Sequence, residues 1–253
     1  MNRPREADIE AAKAYLRQRI ECEQAMATLL ESAMKEAAEK IVEILYSAKI
    51  SPTVGSYENL PAPVRMLIEE VVEWLRETID DYFLTLAIAD HEENRDEILP
   101  FILGENHGRT FDERLSDYCD KYRDELMLLI GAGLFLGIAK SALVKSISEN
   151  LRHPYANQLL ADGIDAPLTY GRGRTNSMFT ALSGLTKYGI ESAWMRHWEL
   201  KTEADGAIGW IVQRGSSYPC SQCDENCGFH SIAEGTQLPQ HLSCCCFAVP
   251  IHI

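Results

Sequence analysis

The stretch READIEAAKAYLRQRIECEQAMATLLESAMKEAAEKIVEILYSA, Arg5 to Ala48, decides the fold class. It holds no Pro or Gly, and Ile9, Leu16, Ile20, Ala27, Leu30, Met34, Ile41, Leu45 and Ala48 recur mostly at steps of three, four or seven. That is the period of an amphipathic helix. At 1.5 Å per residue it extends roughly 66 Å, longer than a small domain is wide, so another long helix or a partner must lie along it. Further along, Ser51 to Ser56 breaks the pattern, and Pro61 and Pro63 suit a first helical turn, so a second helix is expected from about Ala62 to Ala89. Ile98 to Leu103 reads as a short helix or turn ended by Gly104. Thr110 can cap a third long helix, through Phe111, Leu115, Tyr118, Tyr122 and Leu126 towards Leu151.

Inside that third helix Gly131, Gly133 and Gly137 each cost about 1 kcal/mol relative to Ala, so close approach of another backbone, or a bend, is expected there. Gly133-x3-Gly137 reads as a packing seam, internal or between subunits. Beyond Leu151 the punctuation changes, with Pro154, Gly163, Pro167 and the run Tyr170 to Ser177, and a boundary is expected near 151–170. Two shorter helices follow, Ser177 to Tyr188 and Ile190 to about Glu203, separated by Gly189. Ala207 to Gln213 is rich in β-forming residues, and short strands and turns around cysteines complete the chain. The expected fold is mainly α: an elongated helical domain over 1–150, then a small α+β domain over 151–253 with a cysteine-rich zinc knuckle.

Composition narrows the function. With 253 residues, 46% apolar and 25% charged, the chain is globular in character. Its net charge is -14, and residues 1–139, with 15 basic and 28 acidic side chains, carry nearly all of it. Such a surface opposes free association with phosphate backbones or anionic lipid. The first residues lack the pattern of a signal peptide, which points to a reducing compartment where disulfides are not expected. Leu126 to Ala139 is uncharged but shorter than the roughly 18 residues of a membrane span, so it reads as a buried helix.

Six of the eight cysteines lie between Cys220 and Cys246. Cys220-x2-Cys223 places two thiolates on one side of a tight turn, the bite that tetrahedral zinc needs, and His241-x2-Cys244 supplies a second pair. Cys246 can replace Cys244, because alternate residues of an extended strand share a face, and Cys245 should then point away. Cys227 and His230 form an alternative second pair. One structural zinc ion per chain, on four of Cys220, Cys223, His241, Cys244 and Cys246, is the expectation, and this surplus of thiolates favours a closed site over a catalytic one. No residue is assigned a catalytic role.

Tyr170-Gly171-x-Gly173, a helical pair containing Glu191, a Trp before the first knuckle, Cys220-x2-Cys223, and His241-x2-Cys244-x-Cys246 followed by Pro250 together resemble the phage Mu protein F-like minor head proteins, or head morphogenesis proteins. The resemblance covers about residues 170–251. Members commonly carry Pro after the His and a basic residue between the last two cysteines, where this chain has Leu242 and Cys245, and the Cys227 and His230 insertion is extra. The resemblance implies a non-enzymatic minor capsid protein of a tailed phage or prophage, assembled in the bacterial host cytoplasm and located in the virion head. Its implied partners are portal or other head proteins, beside self-association through the long helices.

Weaker signals complete the reading. Arg172 and Arg174, in a Gly-rich run before a helix, are candidates for phosphate contact, and any DNA contact should be weak, nonspecific and confined to residues after 150. Trp194, Trp198 and Trp210 read as core anchors, and His91 and His107, near helix ends, as solvated. The alternatives are a DNA-binding module and a zinc-knuckle nuclease, for which Asp224-Glu225-Asn226 with His230 is the one nearby constellation.

Overall fold

The computed structural model describes residues 4–50, 57–89, 91–105, 108–145, 178–240 and 244–252. Among these the protein is mainly α-helical, with one small antiparallel sheet near the C-terminal end, where a cysteine cluster lies. The helices are α1 (Glu6–Ser47), α2 (Ala62–Ile88), α3 (Arg95–Leu103), α4 (Phe111–Phe135), α5 (Met178–Ala204) and α6 (Ser221–Asn226). The strands are β1 (Gly209–Gln213), β2 (Gly228–Ser231) and β3 (Phe247–Ile251). Periodicity and breakers place α1 and α2 to within about a residue at each end.

Two helices depart from expectation, each for a local reason. α4 stops at Phe135 instead of running towards Leu151. Gly137 adopts φ 67°, its N–H bonds to the Leu134 carbonyl at 3.1 Å, and the Ile138 N–H reaches Gly133 at 3.0 Å. Such paired bonds around a left-handed residue close a helix. Gly133 has a different task, because a Cβ there would lie 2.5 Å from a methyl of Leu143. Its part in the expected seam is therefore internal packing.

α5 is one helix, not two, and passes through Gly189 unbroken. A Cβ on Gly189 would come within 2.5 Å of the Phe83 ring, which itself stacks on Phe111 at 4.1 Å. The glycine is thus a notch for an aromatic pair. Gly189→Ala should lower stability by about 1–3 kcal/mol through overpacking, although helix propensity alone favours Ala by about 1 kcal/mol. Urea unfolding checks this, and an unchanged or higher midpoint would refute the notch.

By compactness the chain divides into two units, each assembled from separated stretches. One comprises Met1–Ala27, Tyr82–Phe111 and Gly184–Ile253, the other Thr28–Asp81 and Asp112–Ser183. The boundary expected at 151–170 lies outside the described residues. In the second unit Leu30, Met34, Ile41 and Leu45 of α1, Ile68, Leu75 and Ile79 of α2, and Leu115, Leu126 and Ile130 of α4 are buried. The Tyr122 hydroxyl donates to the Met34 carbonyl, and the buried Glu125 carboxylate accepts the Met178 N–H at 3.1 Å, at the first residue of α5. Burial pushes Glu125 up to about 7.

The first unit holds the sheet, in the order β2-β1-β3. Trp210 of β1 stands opposite His230 on one side and Pro250 on the other, and Pro250 is tolerated because β3 is an edge strand. Trp210 and Val212 point into a core with Ala12, Met195, Trp198, Leu238, Phe247 and Val249. Two indoles tie α5 to the sheet region. Trp198 Nε1 donates to the Ala248 carbonyl, and Trp210 Nε1 to the Thr202 hydroxyl, each at 2.8 Å. Buried Trp usually finds such a partner, and Trp194, Trp198 and Trp210 are all core residues here, although the buried Trp194 Nε1 has none among the described residues.

Candidate metal centre

Cys220 occupies the N-cap of α6, Cys223 lies in its first turn, and Cys244 to Cys246 lead into β3. This local build turns a C-x2-C spacing and a C-x-C spacing towards one another. The sulfurs of Cys223, Cys244 and Cys246 all lie within 4.8 Å of each other, and all three residues are buried. Cys223 and Cys244 are 3.9 Å apart, sulfur to sulfur. A tetrahedral zinc site with bonds of about 2.3 Å sets its sulfurs about 3.8 Å apart, so the donor set fits such an ion in chemistry and spacing. These three cysteines can hold a metal ion.

The thiols are already polarised against one another. Hydrogen bonding from Cys246, with help from backbone N–H groups, outweighs burial and brings the Cys244 thiol down to about 5. Burial and the side chain of Cys220 push Cys223 up to about 12, and the bond to Cys244 pushes Cys246 up as well. Cys244 is then the sulfur whose ionisation the cluster favours most, and an incoming cation must displace the protons of its neighbours. Cys245 lies outside the trio, as the alternation expects.

The other candidate ligands are distributed as follows. Cys220 is half-buried and hydrogen-bonds to the Cys223 thiol, but it is not gathered into the trio whose sulfurs all lie within 4.8 Å of one another. His241 lies outside the described residues, as do Arg172, Arg174 and His107. Cys227 is exposed, and His230 Nε2 is 2.9 Å from the Asn226 carbonyl, so this alternative pair is not gathered into the cluster. Asp224 pairs with Arg214, and Asn226 Nδ2 donates to the Thr236 carbonyl at 3.1 Å. Asp224, Asn226 and His230 of the constellation considered for a nuclease are thus engaged in local contacts.

A buried ion cluster adjoins the thiols. Arg19 of α1 lies 2.9 Å from Glu191 and 3.1 Å from Glu23, and its Nη2 donates to the Cys244 carbonyl at 2.8 Å. Nothing in the motif reading singled out Arg19. Its signal is positional: Arg19 falls seven residues after Ala12 and seven before Met26, on the buried stripe of α1.

His91 corrects another expectation, since it is 2% exposed and not solvated. Its ring stacks on His197 at 4.0 Å and meets Trp194 edge-on, with the Tyr15 hydroxyl 3.5 Å from its Nε2. Burial lowers His197, with Lys201 acting in the same direction and Glu93 against it. The folded state therefore favours neutral His197, and this contribution to stability is present above about pH 6.5 and lost as pH falls below it. Glu125 acts in the opposite sense, because a raised carboxyl gains stability as pH falls from about 7 towards 4.5. Between pH 7.5 and 5.5 the wild type should consequently lose more stability than His197→Phe, by at most about 1.4 kcal/mol per pH unit. Urea midpoints at both pH values check this, and parallel curves would sink it.

No helix among the described residues is long and apolar enough to cross a membrane. Comparison of the chain with protein-family models, with curated proteins and with solved structures finds no match.

Proposed function

We propose that the chain is a non-enzymatic minor capsid or head-morphogenesis protein of a tailed phage or prophage, whose C-terminal sheet is closed by one structural zinc ion. The observation that carries this reading is the buried thiol trio of Cys223, Cys244 and Cys246. Thiol-rich donor sets suit an ion that holds a fold together, whereas catalytic zinc ions are more often held by histidines and carboxylates. The phage assignment rests on the resemblance over residues 170–251. It gains support because residues that carry the resemblance, distant in sequence, pack into one core: Trp210 with Cys223, Cys244 and Cys246, and Glu191 against the Cys244 backbone. In this reading the protein assembles with portal or head subunits in the host cytoplasm and resides in the virion head.

The test is co-expression of the full chain with a tailed-phage portal protein, followed by gel filtration and elemental analysis. Co-elution with portal and about one zinc per chain is the expected result. Metal-dependent cleavage of DNA would overturn the reading in favour of a nuclease, and a chain free of zinc that ignores portal would remove both of its parts.

A further inference from the structure

The peptide groups of Cys244 are held from both sides by charged side chains. Its carbonyl accepts from Arg19 Nη2 at 2.8 Å, across 225 positions of sequence, and its N–H donates to the Glu191 carboxylate. Arg19 Nη1 and Glu191 Oε1 are 2.9 Å apart, so the two holders also hold each other. Glu23 and Lys187 complete the cluster, with Glu23 3.1 Å from Arg19 and 4.0 Å from Lys187. Arg19 and Glu191 are 2% and 1% exposed. Charged groups are seldom buried so deeply unless paired, and here part of the pairing is spent on the backbone of a metal-donor residue.

That choice of partner has a geometric effect. The Cys244 carbonyl belongs to the peptide joining Cys244 to Cys245, and its plane sets the relative directions of the Cys244 and Cys246 side chains. With N–H and carbonyl both fixed, the Cys244 sulfur retains little freedom beyond its own side-chain torsion. The guanidinium also places positive charge beside a cluster that becomes strongly anionic when its thiols ionise, inside a poorly screening interior.

We infer that Arg19, together with Glu191, is a positioning residue of the metal centre, and that by fixing the Cys244 peptide it makes metal retention depend on the N-terminal turns of α1. The inference rests on the metal reading above. Outer partners that orient metal ligands typically change metal affinity by about 10–100-fold when removed.

The test uses the full chain loaded with zinc, titrated with a chromophoric chelator, and the same chain loaded with cobalt(II) for its absorption spectrum. Arg19→Met should weaken zinc binding by about 10–100-fold and shift the cobalt bands as the thiolate geometry relaxes. Arg19→Lys, which keeps the charge but not the forked donor, should recover only part of the affinity. Should Arg19→Met fail to fold, Arg19→Met combined with Glu191→Gln removes the stranded carboxylate charge and takes its place. Hydrogen exchange on the wild type gives a measurement free of any substitution, since removing metal should speed exchange in α1 around Arg19 as well as around the thiols. Unchanged zinc affinity and cobalt bands in a variant whose metal-free form melts lower would reduce Arg19 to fold support and overturn the inference. So would α1 exchange indifferent to metal. A wild type that binds neither zinc nor cobalt would instead mark the failure of the metal reading itself.

Discussion

In Cys244→Ser the metal content is expected to fall from about one ion per chain to near zero, with loss of the cooperative melting of the sheet region. The hydroxyl that replaces the thiol does not ionise near neutral pH, so it cannot supply the charge that Cys244 carries most readily. Structural zinc contributes roughly 10–16 kcal/mol to small metal-dependent folds, and loss of one thiolate of the trio removes a large part of that. The substitution also replaces one of the two thiol partners of Cys246, Cys244 and Cys223, with a shorter-reaching hydroxyl inside a buried cluster. Cys119→Ser separates metal loss from burial. Cys119 is equally buried, in the other compact unit, and burial raises its thiol to about 12. A hydroxyl there should cost about 1–3 kcal/mol and leave the metal content unchanged. Elemental analysis beside thermal melts reads both variants, and a Cys244→Ser protein that keeps its zinc would refute the trio as the site.

Trp210→Ala should be the most damaging substitution away from the thiols, at about 3–5 kcal/mol. Trp210 is 1% exposed on the central strand, in the same core as Trp198, Cys223, Cys244 and Phe247. Truncation leaves a cavity bounded by both the sheet and α5, whose backbones cannot easily collapse into it, and takes the indole donor from the Thr202 hydroxyl. Trp210→Phe retains most of the apolar contact and should cost less than Ala, with about 1 kcal/mol coming from the lost hydrogen bond. Urea unfolding followed through the remaining tryptophans distinguishes them. Equal losses for Phe and Ala would show that the hydrogen bond and not the packing dominates.

Periodicity made α1 and α2 legible because their apolar stripes and proline punctuation are local properties, and the crowding of cysteines after Cys220 marked the thiol cluster in the same way. The failures share a different cause. Gly189 looks like a break until Phe83, more than a hundred positions earlier, fills the place of its side chain. Gly137 could sit within a helix or end one, and only the bonds from Gly137 and Ile138 back to Leu134 and Gly133 decide for the ending. His91 reads as solvated beside two glutamates, yet its surroundings are Tyr15, Trp194 and His197, none of them near it in sequence. Arg19 and Glu23 offered a visible anomaly, charges on an apolar stripe, but their partners come from α5 and the loop before β3. Which cysteines converge likewise depends on how α6 and β3 are brought together, and spacing alone leaves several choices open.

The span between Arg19 and Cys244 also imposes an order of events during synthesis. At about 5–20 residues per second, some 11–45 seconds separate the emergence of the first helix from that of the loop its guanidinium grips. Over most of that interval Arg19 and Glu23 have only water and each other, because Lys187 and Glu191 are themselves made late, and the apolar stripe around them lacks the sheet residues that share its core. Contacts this distant along a chain make folding slow. The nascent protein therefore passes through a long-lived stage in which its first helix is available to chaperones or to a neighbouring chain, and the arrival of the last cysteines ends that exposure.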